Sequence, residues 1–386
     1  MIPTAVVTAR AEERWQQGHP WIYRTDVRDV RAAAGDIVRV LGPRGKKVGW
    51  ALFSDRSQIA LRMLGSDDEA ADEAFVGRLL NDAIQFRAGL RINATAYRLV
   101  HGEADRLPSL IVDRYGDWLV LQALSQGIER LTPAIVRHLV DFLKPSGILA
   151  RNDSRIRLLE GLDRRVDVLD GDVPRSILVR DGSVEIEADV WKGQKTGLFL
   201  DQRENRQAAA EYARGRLLDC FSYEGGFALQ LAPTCKSVLA IDSSEEALRR
   251  LSLNAARNHL SIETRAANVF DQLRELEKAG ARYDTIVLDP PGFARNKASI
   301  PRALAGYKEI NLRALRLLPV GGFLVTCSCS YNVDEGTFAS IVHDASVDAG
   351  VGVVVVEKRM QARDHPVLLG VPETYYLKCL ILRRVR

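Results

Sequence analysis

From about Gly215 onward, short apolar runs bounded by turn residues alternate with longer stretches of helical period, and this alternation leaves few folds open. Strands are expected at 216–221, 237–241, 265–268, 285–288, 322–327, 353–356 and 375–382, with helical patterns between the first five. A chain so patterned builds a parallel, doubly wound α/β sheet of the Rossmann-like kind, with helices on both faces. The last segment alternates, and is expected to pair antiparallel to its neighbour.

Upstream the pattern differs. Alternating runs at 36–40, 48–53 and 59–63, punctuated by Gly42-Pro43-Arg44-Gly45, predict a small β-rich module. The acidic stretch 66–73 then leads into a helical pattern at 75–90, so a boundary is expected near residue 70. Strands at 97–100, 110–113, 118–121, 147–150 and 183–188, with a helix at 130–143 among them, predict an α+β middle domain.

Composition excludes several classes. The 386 residues are 46% apolar and 27% charged, enough for more than one core and too ordered in pattern for a disordered chain. The five cysteines, Cys220, Cys235, Cys327, Cys329 and Cys379, have no paired CxxC spacing. They predict neither a disulfide framework nor a metal site, and suit a reducing cytoplasm. No signal-peptide core is present in residues 1–18, and the apolar run 351–356 is far short of the roughly 20 residues that a bilayer requires, so no membrane partner is expected. A net charge of +4 permits a nucleic-acid partner without requiring one.

Residues 217–228 read as a strand, a loop with paired glycines and a helix start. Glycines there let a backbone approach a nucleotide-like ligand closely, and Asp242, ending the next strand, can accept both ribose hydroxyls. The loop lacks GxGxxG, which disfavours a dinucleotide. A ligand with ribose but no pyrophosphate, S-adenosylmethionine, fits better. Its expected contacts are Asp219, Phe221, Ser222, Gly225, Asp242, Asn268, Asp289 and Pro290. Asn268 has two readings, a contact to adenine and a cap on the following helix.

In Asp289-Pro290-Pro291-Gly292-Phe293 the prolines remove two N–H donors and fix the backbone, so the Asp289 carboxylate and the Pro290 carbonyl project at the carboxyl edge of the sheet. Such acceptors can hold a planar base by its polar edge. They suffice for methylation at nitrogen. Methylation at C5 of cytosine needs more, because that carbon becomes nucleophilic only after a thiolate adds to C6. Cys329, in the polar run Ser328-Cys329-Ser330-Tyr331-Asn332 past the fifth strand, meets that need. Cys327, inside the strand, reads as packing.

These residues resemble a known family, the bacterial ribosomal large subunit methyltransferase I enzymes, which make 5-methylcytidine in 23S rRNA. The likeness spans nearly the whole chain. It rests on His19-Pro20-Trp21-Ile22, Gly102-Glu103-Ala104-Asp105-Arg106-Leu107-Pro108, the distinctive run from Lys195-Thr196-Gly197 to Asp201-Gln202-Arg203, Cys220-Phe221-Ser222-Tyr223, the Asp-Pro-Pro motif and Gly306-Tyr307-Lys308-Glu309-Ile310-Asn311. The resemblance implies a PUA-like RNA-binding module at 1–70, the middle domain at 71–190 and a class I S-adenosylmethionine-dependent methyltransferase domain at 191–386. It also implies that Cys329 is the nucleophile and that Asp242 and Asp289 lie in the cofactor and base site. The chain departs from the family pattern in the second thiol, Cys327, and in having Asn268 where aspartate is common.

Arg10, Arg14, His19, Trp21, Tyr23 and Arg24 mix basic and aromatic types, as phosphate contact and base stacking require, and Trp21 can equally anchor a small β core. Lys297 and Lys308 flank the stretch that leads from Asp289 to Cys329, and are further phosphate candidates. The expected partner is RNA, 23S rRNA or a large-subunit precursor, with a homodimer left open. Two rivals remain: an RNA guanine N-methyltransferase using the same acceptors without a thiol, and a non-catalytic rRNA-binding assembly factor.

Overall fold

A computed structural model describes residues 2–66, 71–294 and 297–386. Residues 67–70 of the acidic stretch and the side chain of Lys297 lie outside the described residues. The chain forms two compact units, the first from residues 1–179, 188–200 and 363–374, the second from 180–187, 201–362 and 375–386.

The first unit holds two sheets. One has six strands in the order Trp21–Tyr23, Ile59–Gly65, Lys47–Phe53, Ile37–Leu41, Thr4–Val7 and Val27–Arg31. Alternate residues Val38 and Val40, with Ala51, Phe53, Leu61 and Met63, fill its core. The other has five strands, Arg165–Gly171, Gly147–Asn152, Trp118–Ala123, Leu110–Tyr115 and Ala96–His101. Helices Glu73–Gly89 and Gln126–Leu143 bury Phe75, Leu79, Leu80, Ile128, Ile135 and Leu139 in one core with Leu99, Val112 and Leu121 of this sheet. Trp50, Leu52 and Leu64 of the first sheet join that same core, which is why both layers belong to a single unit.

The second unit is the alternating part of the sequence. Its helices are α1 (Arg203–Tyr212), α2 (Gly226–Leu231), α3 (Glu245–Arg257), α4 (Val269–Lys278), α5 (Ile300–Leu317) and α6 (Glu335–Ala349). Its strands are β1 (Gly215–Cys220), β2 (Cys235–Asp242), β3 (Glu263–Ala266), β4 (Thr285–Leu288), β5 (Phe323–Ser328), β6 (Val353–Arg359) and β7 (Lys378–Arg384). They form one sheet in the order β3-β2-β1-β4-β5-β7-β6. The strands from β3 to β5 are parallel, and β7 runs antiparallel to both β5 and β6. Every residue of β4 and β5 is buried, as strands covered on both faces must be. The chain order reverses between β1 and β4, so the crevice at their carboxyl ends is where a ligand belongs in a sheet of this kind.

Several expectations shift. The third strand ends at Ala266 rather than Asn268, and the seventh runs Lys378–Arg384 rather than 375–382. The middle helix starts at Gln126, four residues ahead of the expected 130, because the Ser125 side chain accepts the Ile128 N–H and caps it there. Thr4–Val7, Trp21–Tyr23, Val27–Arg31, Arg165–Gly171 and Ile177–Asp181 are further strands. Among the described residues no helix is long and apolar enough to cross a membrane.

Candidate active site

The β1 to α2 loop turns sharply. Phe221, Tyr223 and Gly225 take φ values of 62°, 48° and 85°, the left-handed region that disfavours residues with a side chain. Two residues with side chains held there mark a loop whose shape the surroundings enforce. Backbone bonds supply the enforcement, from Ser222 N–H to the Ile241 carbonyl at 3.1 Å and from Gly225 N–H to the Ser222 carbonyl at 2.8 Å. At Gly225 a Cβ would stand 2.6 Å from Leu251 Cγ, so glycine is needed for space as well as for φ.

The Asp242 carboxylate fastens this loop to the end of β2. Its Oδ2 accepts the Tyr223 N–H and its Oδ1 accepts the Ser244 N–H, each at 2.9 Å. Each oxygen keeps a second lone pair for a ligand hydroxyl. Asp219, fully buried at the end of β1, accepts the Ala228 N–H at 2.9 Å. Burial pushes its carboxyl well above the usual range, and the charges of Asp289 and Asp242 push the same way. Asp242 and Asp289 therefore both act on Asp219 at the carboxyl edge of the sheet. The buried Ser222 Oγ has no hydrogen-bond partner among the described residues.

The set fits a cation carrying a ribose. Acidic groups favour a sulfonium and an amino group, Asp242 offers acceptors to a diol, and Ser222 Oγ is a buried polar atom awaiting a bond. Asn268 Oδ1 accepts the Phe270 and Asp271 N–H groups and caps α4, so the capping reading of that residue is realised in its oxygen. Phe221, Phe270 and Phe293 form an aromatic triangle with ring centroids 5.9 to 6.4 Å apart, and Phe293 packs on Tyr307 at 4.7 Å. These rings bring an apolar wall to the edge that carries the carboxylates.

At the next strand end, Gln202 Nε2 donates to Asp289 Oδ1 at 2.8 Å, Asn205 Nδ2 donates to Gln202 Oε1 at 2.7 Å, and Arg359 Nε donates to Asn205 Oδ1 at 3.2 Å. This relay holds the Asp289 carboxylate from behind. Cys329 Sγ lies 3.7 Å from the Pro290 carbonyl oxygen, and a Cβ at Gly292 would stand 3.6 Å from the same sulfur. The turn carrying the thiol is tied to the chain after the prolines, because Ser330 Oγ accepts the Ala294 N–H at 3.1 Å and lies 2.9 Å from Tyr307 Oη. Cys329 is half-buried, whereas Cys327 is fully buried and sits opposite Cys379 across the β5 to β7 pair. Burial, then Cys379 and Asp289, push the Cys327 thiol well up.

Asp219, Phe221, Ser222, Gly225 and Asp242 thus form one cluster, and Asp289, Pro290 and Cys329 a second at the same edge. Gln202, Asn205 and Tyr307 support them, a role that sequence reasoning did not assign. Gln202 and Tyr307 had one signal, their place inside the motifs quoted above, and Asn205 had none.

The basic and aromatic candidates in the first unit are engaged within it. Arg10 Nε donates to Asp26 Oδ1 at 2.8 Å, the Arg14 guanidinium lies 4.8 Å from the Tyr23 ring, and Trp21 Nε1 donates to Glu103 at 2.9 Å. His19 Nδ1 accepts the Trp21 N–H, and burial lowers its imidazole below the ordinary range. Arg24 spends its guanidinium on the Ser54 and Ser57 carbonyls. Lys308 pairs with Asp348 at 2.8 Å, joining α5 to α6, and the side chain of Lys297 lies outside the described residues.

Two family profiles match. Residues 5–66 match a PUA-like domain, and residues 106–380 match an S-adenosylmethionine-dependent methyltransferase. The chain is 39% identical over its full length to the full-length ribosomal RNA large subunit methyltransferase I of Tolumonas auensis. It is 40% identical to the Aeromonas hydrophila protein of that name, over 95% of each chain. Among solved structures, a Streptococcus mutans chain described as a candidate SAM-dependent methyltransferase superposes with a TM-score of 0.83 at 18% identity, covering 99% of this chain and 100% of that one. A candidate methyltransferase solved with SAH gives 0.84 at 20% identity with the same coverage.

Proposed function

The chain belongs to the ribosomal RNA large subunit methyltransferase I family, S-adenosylmethionine-dependent enzymes of ribosomal RNA, and from that premise we propose that it forms 5-methylcytidine in 23S rRNA through a covalent adduct at Cys329. The observation that carries the reading is the Cys329 sulfur 3.7 Å from the Pro290 carbonyl, beside a carboxylate held from behind by Gln202.

When bound, S-adenosylmethionine would supply an electrophilic methyl group on its sulfonium, with Asp242 placed to hold its ribose and Asp219, Ser222 and the Phe221 loop around it. Asp289 and the Pro290 carbonyl take the polar edge of the cytosine, with Asp289 polarising or protonating N3. The Cys329 thiolate adds to C6 and the ring electrons pass to C5, which would then take the methyl group and leave the cofactor as a neutral thioether. A base removes the C5 proton, the sulfur to C6 bond breaks, the C5 to C6 double bond re-forms, and any proton lent to N3 returns to Asp289. The base must be reached outside its stack, an extrusion that costs a few kcal/mol, so an unpaired rRNA segment or a large-subunit precursor is the favoured substrate. Within the PUA-like domain, Arg10 and Arg14 would reach phosphates only by sharing or exchanging their internal partners Asp26 and Tyr23.

Conversion of Cys329 to Ala, followed by methyl transfer to rRNA and mapping of 5-methylcytidine, tests the reading. Loss of the product supports it. Activity retained within about tenfold, under roughly 1.4 kcal/mol of barrier, rules out the covalent route and favours transfer to nitrogen.

A further inference from the structure

Lys378 opens β7 ahead of the apolar run 379–382, and its side chain is fully buried. An ammonium removed from water needs partners, because an unpaired buried charge costs several kcal/mol. Two of its three N–H bonds go to main-chain carbonyls, Ser330 at 2.7 Å and Tyr376 at 3.0 Å. The first of these belongs to the residue directly after Cys329. The strand register explains the meeting: Lys378 pairs with Ser328, the last residue of β5, at the point where the chain leaves the sheet to carry the thiol. Asp334, at the entrance to α6, favours the charged ammonium, as would the Cys329 thiol once ionised.

We propose that Lys378 is the positioning cation of Cys329, fixing the thiol-bearing turn through the Ser330 carbonyl and stabilising the thiolate by its charge. The assignment rests on Cys329 being the nucleophile. It supplies what the sequence lacked, a reason for a cysteine of ordinary pKa near 8.5 to ionise at neutral pH. Burial lowers the lysine to about 8, against which Cys329 and Asp334 work, so the residue remains a cation at neutral pH. Above that value the support weakens as the ammonium loses its proton.

The test uses the full chain without RNA. Iodoacetamide is applied between pH 6 and 10, and alkylation of the Cys329 peptide is followed by mass spectrometry in wild type, Lys378→Met and Lys378→Arg. The expected result is a Cys329 midpoint raised by about one unit or more in K378M, with about tenfold slower reaction near pH 7, and a midpoint close to wild type in K378R, which keeps the charge. A K378M protein that melts and binds S-adenosylmethionine as wild type does, yet titrates Cys329 identically, overturns the proposal. If K378M does not fold, the wild-type profile decides, because a Cys329 midpoint at or above about 8.5 leaves no stabilised thiolate to explain. Alkylation needs no methyl transfer, so a failure of the nucleophile reading, seen as activity in Cys329→Ala, is separable from a failure of this link.

Discussion

Gln202 and Asp289 are joined by a 2.8 Å hydrogen bond in which the amide nitrogen donates to one carboxylate oxygen. The pair links a residue at the entrance of α1 to the end of β4, and both belong to motifs that looked independent along the chain.

Replacing Gln202 by Leu removes that donor and weakens the hold on Asp289. A hydrogen bond to a charged group contributes about 1.5–3 kcal/mol, so methyl transfer is expected to fall by about tenfold or more. Cofactor affinity should change far less, because Asp242 and the Phe221 loop are untouched. Single-turnover methylation together with calorimetric titration of S-adenosylmethionine separates the two.

The two thiols of the β5 end should behave oppositely. Cys329→Ala is expected to lose activity by a factor on the order of a thousand, whereas Cys327→Ala should stay within about threefold, under 1 kcal/mol of barrier. Cys327 is fully buried in β5, opposite Cys379 of β7. Transfer of labelled methyl groups to rRNA reads both variants, and equal losses would contradict the division of roles.

Gly225→Ala forces a side chain into φ 85° and against Leu251. A loss of about 1–3 kcal/mol of stability is expected, with weaker cofactor binding because the loop must shift. Chemical denaturation with and without S-adenosylmethionine gives both quantities. Unchanged stability would show that the loop does not need its left-handed turn.

A pH effect is expected in the first unit. His101 is held well below the ordinary imidazole range by burial first, then by the Arg98 charge, with His365 and Arg87 adding and Asp364 opposing. Arg98 Nη1 donates to His101 Nδ1 at 3.1 Å, which requires the neutral ring nitrogen. The folded state therefore binds the proton less readily than the unfolded one. Its contribution is full above about pH 6.5 and is lost as pH falls below that value, with a slope of up to about 1.4 kcal/mol per unit for one proton. His101→Gln should flatten the slope of denaturation midpoints between pH 6.5 and 5. A variant with the wild-type slope would point to another group.

How much of this was legible along the chain depends on how local each feature is. The fully apolar runs of β4 and β5, and the glycine turn after β1, carry their own signals, so the doubly wound sheet and the cofactor edge could be read directly. The antiparallel β7 was expected, though not its start, because Tyr375 and Tyr376 send their hydroxyls to Glu335 and Asp201 instead of entering the sheet, and its burial is continuous over 378–382 and not alternating. Val27–Arg31 was missed because three of its five residues are charged and three are exposed, so no apolar period marks it. Asn268 carries both readings in its side chain, and only the bonds from Phe270 and Asp271 show which group acts as the cap. Gln202 and Lys378 take their meaning from residues far away in sequence, Asp289 and Ser330, and no window of neighbours could reveal that.

The place of β7 in the sheet has a consequence for synthesis. A ribosome delivers β5 and β6 first, yet among the described residues β6 pairs only with β7, and β7 lies between them. Until that strand emerges, β6 has no ladder to join and the turn at Cys329 lacks its lysine. A nascent chain would therefore still lack the antiparallel strand that joins β6 to the rest of its sheet.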